Sequence, residues 1–208
     1  MSDAYRPLLD PLPQGPQGFQ PRRYPRQAWA PMTDEEWALL GPLVTRALVP
    51  HRGRRAENPR RTWDAIFWVA CSSGPWRDLP EQLGKADTAH RTLRRAARSG
   101  LLGKLLMGLS DHPKVKRVLD PLGWRIARAW RRATRLLTMP QLLQARFLGL
   151  LDALPCHPDR LPRPFLSETI TERAKLLFRG AWNPALHRHL LHLNRLMAGD
   201  RRCWRLTD

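Results

Sequence analysis

Four arginines, Arg91, Arg94, Arg95 and Arg98, stand at i, i+3, i+4 and i+7 in the segment TAHRTLRRAARSG. In a helix that spacing gathers them into one cationic stripe, with His90 at its edge. A guanidinium is a planar fork of donors that matches both phosphate oxygens and the major-groove edge of guanine. The chemistry on offer is recognition of a polyanion, and the partner it suits is double-stranded DNA. In that frame His90, Arg91 and Arg94 could reach base edges, while Arg95 and Arg98 are placed for phosphates. A solvated face on a packing helix produces the same spacing.

Other chemistry-bearing residues do not gather in this way. The acids after residue 110 are Asp111, Asp120, Asp152, Asp159, Glu168, Glu172, Asp200 and Asp208. They are scattered, none closes an alternating or buried apolar run, and no catalytic residue is assigned. His187, His189 and His192 with Cys203 invite comparison with zinc, but a structural site wants four ligands at paired spacing. Cys203 stands alone and Cys156-His157 lies in a distant Pro-rich linker, so surface histidines are the plainer account and no metal is assigned. Three cysteines make no disulfide framework and fit a reducing cytosol; Cys71 reads as a small core residue.

The arginine segment needs a scaffold, and the residues before it predict one. Thr33 and Glu36 form a capping box that opens a helix carrying Trp37, Leu40 and Val44 on one face and ending near Leu48. A basic loop over 51–61 is closed by Pro59. Residues 60–72 predict a central, buried helix, with Trp63, Ile66, Phe67, Ala70 and Cys71 at i, i+3, i+4, i+7 and i+8. In SSGPWRDLPEQLG, Ser73-Gly74-Pro75 stops that helix. Asp78 with Glu81 makes a second capping box around Pro80, so residues 78–83 are expected to form a helix of little more than one turn. Trp76 is its wedge, and Arg77 sits just before its N-terminus, where phosphates are commonly held. Asp87 or Thr88 caps the arginine helix, Gly100 ends it, and Ala89, Leu93, Ala96 and Ala97 form a narrow inner face. LLGKLLMGL adds a short helix whose Leu101, Leu105 and Leu109 cover the core. Short helix, tight turn and arginine-faced helix is the order of a helix-turn-helix, whose second helix enters the major groove.

Composition agrees with a polyanionic partner. The 208 residues carry 36 Lys and Arg against 18 Asp and Glu, a formal charge of +18. The excess grows along the chain: net +2 over 1–31, +5 over 32–110 and +11 over 111–208. Hydrophobic residues make up 42%, enough for a packed core. There is no signal-peptide pattern and no apolar run of spanning length, so a soluble cytoplasmic protein without membrane contact is expected. Residues 1–31, rich in Pro, Gly and Gln, predict a disordered leader.

The stretches TDEEWALLGPLV, RRTWDAIFWVACSSGPWRDLPEQLG and HRTLRRAARSGLLGKLL together resemble one known domain. It is the N-terminal helix-turn-helix domain of bacterial insertion-sequence DDE transposases of the four/five superfamily. Gly-Pro-Trp-Arg-Asp-Leu-Pro, residues 74–80, is the most specific piece, and the likeness covers about residues 32–108. It implies a module that recognises the terminal inverted repeats of a mobile element, with Trp37, Trp63, Gly74, Trp76, Asp78 and Glu81 as its structural motif. Two features depart from the family. The linker reads Arg52-Gly53-Arg54-Arg55-Ala56-Glu57, and Ala86, His90, Leu93 and Ala96 stand where aromatic residues are usual. A DDE enzyme also needs three carboxylates on a ribonuclease-H-like sheet holding two metal ions, and the residues after 110 give no such arrangement.

The C-terminal part, 111–208, reads as helical throughout. WRIARAWRRATRLL over 124–137 predicts a basic helix with Arg125, Arg128, Arg132 and Arg135 on one side, able to grip DNA phosphates, to lie on anionic lipid or to face solvent. A leucine-rich helix over 138–153 follows, then a Pro-marked linker, then helices over 167–178 and 184–198. Its composition, rich in Leu and Arg with two Glu, three Lys and no Tyr, is what a G+C-rich gene read out of frame tends to yield. A transposase head on a frame-shifted tail is therefore one reading, with Met32 as a candidate original start.

The expected fold is all-α: a small helical bundle with a helix-turn-helix over 32–110, and a separate or poorly ordered helical region after it. The expected function is that of a truncated or frameshifted transposase, binding element-end DNA without its own catalytic domain. No cofactor is expected, magnesium entering only with a catalytic transposase half supplied in trans. The oligomeric state stays open. A domesticated transcriptional regulator is the alternative, and a divergent metal-dependent nuclease or transposase ranks below it.

Overall fold

The computed structural model describes residues 23–25, 27–48, 57–109, 118–180 and 182–200. The fold is all-α, with eight helices linked by 3-10 turns and no strand among the described residues. Most of the leader, Arg52 to Arg55 of the basic loop, Asp111, Asp208 and Cys203 lie outside them. The chain divides into two compact units, one over residues 21–155 and one built from residue 156 onward. Residue 110 falls within the span of the first unit.

The first unit opens with α1 (Asp34–Leu48). Its capping box is present: the Thr33 amide donates to Glu36 Oε2 at 2.9 Å and the Glu36 amide to Thr33 Oγ1 at 3.2 Å. Leu40 and Val44 are buried, and Trp37 is half-buried with its ring beside Gly41, one turn on. A Cβ on Gly41 would stand 3.0 Å from that ring, so glycine is the residue that leaves room for the indole. The second helix, α2 (Pro59–Ser72), is capped by Asn58, whose Oδ1 accepts the Arg61 amide at 2.9 Å, with Pro59 at the tolerated first position. Trp63, Ile66 and Phe67 are fully buried and Ala70 and Cys71 nearly so, as the spacing predicts.

The helix stops at Ser72, where Ser73-Gly74-Pro75 is expected to end it. Ser73, not Gly74, takes the left-handed conformation, at φ 60°. The one-turn helix expected over 78–83 is absent. Trp76–Asp78 and Glu81–Leu83 are separate 3-10 turns, parted by extended Leu79. Pro80 is the cause: it pushes the residue before it out of the α region and offers no amide to continue a helix. Asp78 therefore caps nothing, and no side chain caps the second turn.

Next come α3 (Ala86–Arg98), α4 (Leu101–Gly108), α5 (Gly123–Arg132) and α6 (Met139–Phe147). Leu101, Leu105 and Leu109 are buried as expected. The segment expected to be a basic surface helix is instead the core partner of α2: α5 packs against α2 and α4 and buries Ile126, Ala127, Ala129 and Trp130. It also ends early, at Arg132, and Thr134–Leu136 forms a 3-10 turn against α3. A second capping box, of Thr138 and Gln141, opens α6.

Where the leader is described, hydrogen bonds tie it to the helical unit. The Tyr24 amide donates to Asp152 at 2.5 Å, its hydroxyl to Asp120 at 3.1 Å, and the Ala30 carbonyl accepts from Arg125 at 2.9 Å. Polar contacts around Met32 then tie α1, α2 and α5 together. The Met32 amide donates to buried Asp64 at 2.9 Å, Arg60 donates to the Met32 carbonyl and to Asp34, and buried Arg125 pairs with Glu36.

In the second unit α7 (Leu166–Arg179) packs on α8 (Pro184–Ala198). Asn183 caps α8 through Oδ1, which accepts from Ala185 and Leu186. Gly199, at φ 73°, lets the chain turn back past Pro162, where a Cβ would meet the Pro162 nitrogen at 2.7 Å. Among the described residues no helix is long and apolar enough to cross a membrane.

Candidate nucleic-acid interface

The arginine helix α3 is built as an inner and an outer face. Ala89, Leu93, Ala96 and Ala97 are each at most 2% exposed and Thr92 is buried beside them. This face packs against α1, α2 and α4. Alanine has no side-chain entropy to lose in a helix and lets neighbouring backbones approach, so a slim face seats α3 firmly. Lys85 occupies the N-cap position without a side-chain bond, so neither Asp87 nor Thr88 is the cap. Asp87 lies within the first turn and pairs with Arg91 at 3.0 Å, one turn on.

Opposite the buried face, Arg91, Arg94, Arg95 and Arg98 are all exposed. With Asp87, Thr88 and Thr92 they line one shallow groove along the helix. The Arg91–Asp87 pair is an open surface contact, worth about 0.3–0.5 kcal/mol and easily exchanged for a phosphate. No salt bridge to Arg94, Arg95 or Arg98 occurs among the described residues. Three unpaired guanidinium groups on one helix face are a strong local source of positive potential.

His90 stands apart from this stripe. It is half-buried, and Trp76 meets it edge-on with ring centroids 5.4 Å apart. On the same indole lies the guanidinium of Arg132, 5.5 Å from its centroid. Trp76 thus wedges the turn after α2 between α3 and the end of α5. Arg77, exposed in the first 3-10 turn, lies 3.6 Å from Asp78. The second turn is held by Arg61, which donates to the Glu81 carbonyl at 3.0 Å, while the Glu81 side chain is exposed. Trp63 is wholly buried against Phe67. A Cβ on Gly74 would meet nothing closer than 3.6 Å, so its place in the motif is not a steric demand of its neighbours.

Sequence reasoning missed Asp64 and the packing roles of Arg125 and Arg132. Burial raises the Asp64 carboxyl above its ordinary range, against the pull of the Met32 amide, Arg60 and Arg125. The signal for α5 was present: Ile126, Ala127, Trp130 and Ala133 repeat at i, i+1, i+4 and i+7, an apolar face as regular as the arginine one. In the second unit, His189 lies against Arg173, and burial first, then Arg173 and His192, push its pKa down. No group of three or more His, Cys, Asp or Glu side chains that could hold a metal ion occurs among the described residues.

The uncharacterized protein y4sN of Sinorhizobium fredii (strain NBRC 101917 / NGR234) is 35% identical over 79 residues, which are 38% of this chain and 62% of that protein. The chain thus spans about three-fifths of the length of the curated relative it matches. No solved structure matches significantly. Residues 32–106, which carry α1, α2, α3 and most of α4, match the family described as "Putative transposase of IS4/5 family".

Proposed function

We propose that residues 32–109 are the DNA-binding head of an insertion-sequence transposase, with α3 as the helix that enters the major groove at the element ends. The observation that carries this reading is the exposed guanidinium stripe of α3 set opposite a fully buried small-residue face. A helix so seated is rigid, projects its cations outward and can lie in a groove about 12 Å wide. Arg91 and Arg94 read base edges and Arg95 and Arg98 hold phosphates. His90, packed on Trp76, sets the angle of the helix. The helix-turn-helix is a variant one, in which two 3-10 turns replace the first short helix.

In this reading the chain carries no catalytic domain of its own. Strand transfer, and the magnesium it needs, falls to a DDE half supplied in trans. Gel shift with the terminal repeats flanking the gene, against shuffled duplexes, tests the assignment. Replacing Arg91 and Arg94 together by Ala should weaken repeat binding at least tenfold, given about 1–3 kcal/mol per good base contact. Unchanged affinity would remove α3 as the reading helix. Binding to promoter DNA in preference to the repeats would favour the regulator instead.

A further inference from the structure

We propose a second DNA-contacting site, formed by Arg131, Arg132 and Arg135, that grips the phosphate strand bordering the groove occupied by α3. These residues lie beyond the family-matched segment, which ends at 106. The inference rests on the reading of α3 as the groove-entering helix.

Three observations place this site beside α3. The 3-10 turn Thr134–Leu136 packs directly on α3. Arg132 lies over the Trp76 indole, whose edge meets His90 of α3. His90 and Arg94 are one turn apart and share a side of the helix, so the Arg132 end of α5 flanks the same side as Arg94.

Charge and exposure make the flank a phosphate site rather than a packing contact. Arg131 and Arg135 are exposed and Arg132 is half-exposed. None of the three meets a carboxylate among the described residues, in contrast to Arg125 of α5, which is buried on Glu36. A guanidinium stacked on an indole is fixed in orientation while the donors along its edge stay available. A helix in the major groove has a sugar–phosphate strand on each side, and cations beside the helix meet that strand without reading sequence. The groove helix and the flanking cations belong to one compact unit, so both engage the duplex together.

The test is fluorescence anisotropy with the full chain and a labelled mixed-sequence duplex of roughly 30 base pairs, from about 50 to 200 mM salt. Arg131→Gln with Arg135→Gln should make the plot of log affinity against log salt shallower by about 2, since each phosphate contact contributes about 0.9. Melting temperature and the preference for repeat over shuffled DNA should not change. Arg95→Gln with Arg98→Gln provides the second arm. If that pair flattens the slope and the Arg131/Arg135 pair does not, the flanking site is wrong and the α3 reading stands. If neither pair alters the slope, both are wrong.

Discussion

At the scale of single residues, Asp64 shows how a polar group missed by pattern reading can be fixed by position. It lies inside α2 at 7% exposure, an unusual place for a carboxylate, because the Met32 amide needs an acceptor there. Removing that acceptor should be costly: Asp64→Ala is expected to lose about 1–3 kcal/mol, the penalty of a buried donor left unpaired. Asp64→Asn keeps an oxygen for Met32 and sheds the buried charge. The pH dependence follows from the raised pKa, whose first cause is burial. The folded protein holds this proton more tightly than the unfolded chain does, so the wild type loses stability as pH rises from the unfolded carboxylate value through the folded one. Asp64→Asn lacks that loss. The two proteins should melt alike in acid, with the variant gaining on the wild type toward neutral pH; a gap that instead widened toward acid would contradict the assignment. None of this was legible beforehand, because an isolated Asp in an apolar helix reads as an outward-facing residue until its partner from another segment is known.

At the scale of elements, legibility followed the regularity of the signal. The first four helices, and α7 and α8, fall within a few residues of their expected spans, because each carries a cap, a stop or an unbroken apolar repeat. DLPEQL misled because Asp78 and Glu81 have capping-box spacing while Pro80 between them blocks the α geometry that a box requires. In WRIARAWRRATRLL two periodic faces overlap, and the arginine face obscures the apolar one of Ile126, Ala127 and Trp130. The seating of α3 gives an element-level prediction. Ala96 is fully buried on its inner face, so Ala96→Leu forces extra volume between α3 and its neighbours. Overpacking of this kind costs about 1–3 kcal/mol. The variant should therefore lower both the melting temperature and the DNA affinity, whereas Arg98→Ala should lower affinity alone. An Ala96→Leu protein that melted and bound like the wild type would mean that α3 is not held by this face.

At the scale of the whole molecule, the family-matched segment is not the folding unit. It ends at 106, whereas the compact unit continues to 155 and places α5 against α2. Leu122, Ile126, Ala129 and Trp130 are each at 1% exposure or less, in a core that α5 shares with α2 and α4. Residues 118–155 are thus part of the architecture that seats α3. Burying one large apolar side chain contributes about 1.5–3 kcal/mol, and a domain's entire stability is only about 5–15 kcal/mol. Losing Leu122, Ile126 and Trp130 together would remove much of that margin. A fragment of residues 32–109 should accordingly lack a cooperative thermal transition and bind duplex DNA poorly, while a fragment of residues 21–155 should melt cooperatively. Trp130→Ala in the full chain should cost about 3–5 kcal/mol, the usual penalty for emptying a buried aromatic site. Calorimetry and circular dichroism of the two fragments decide the matter: a 32–109 fragment as stable as 21–155 would return α5 to the surface role that its arginines first suggested.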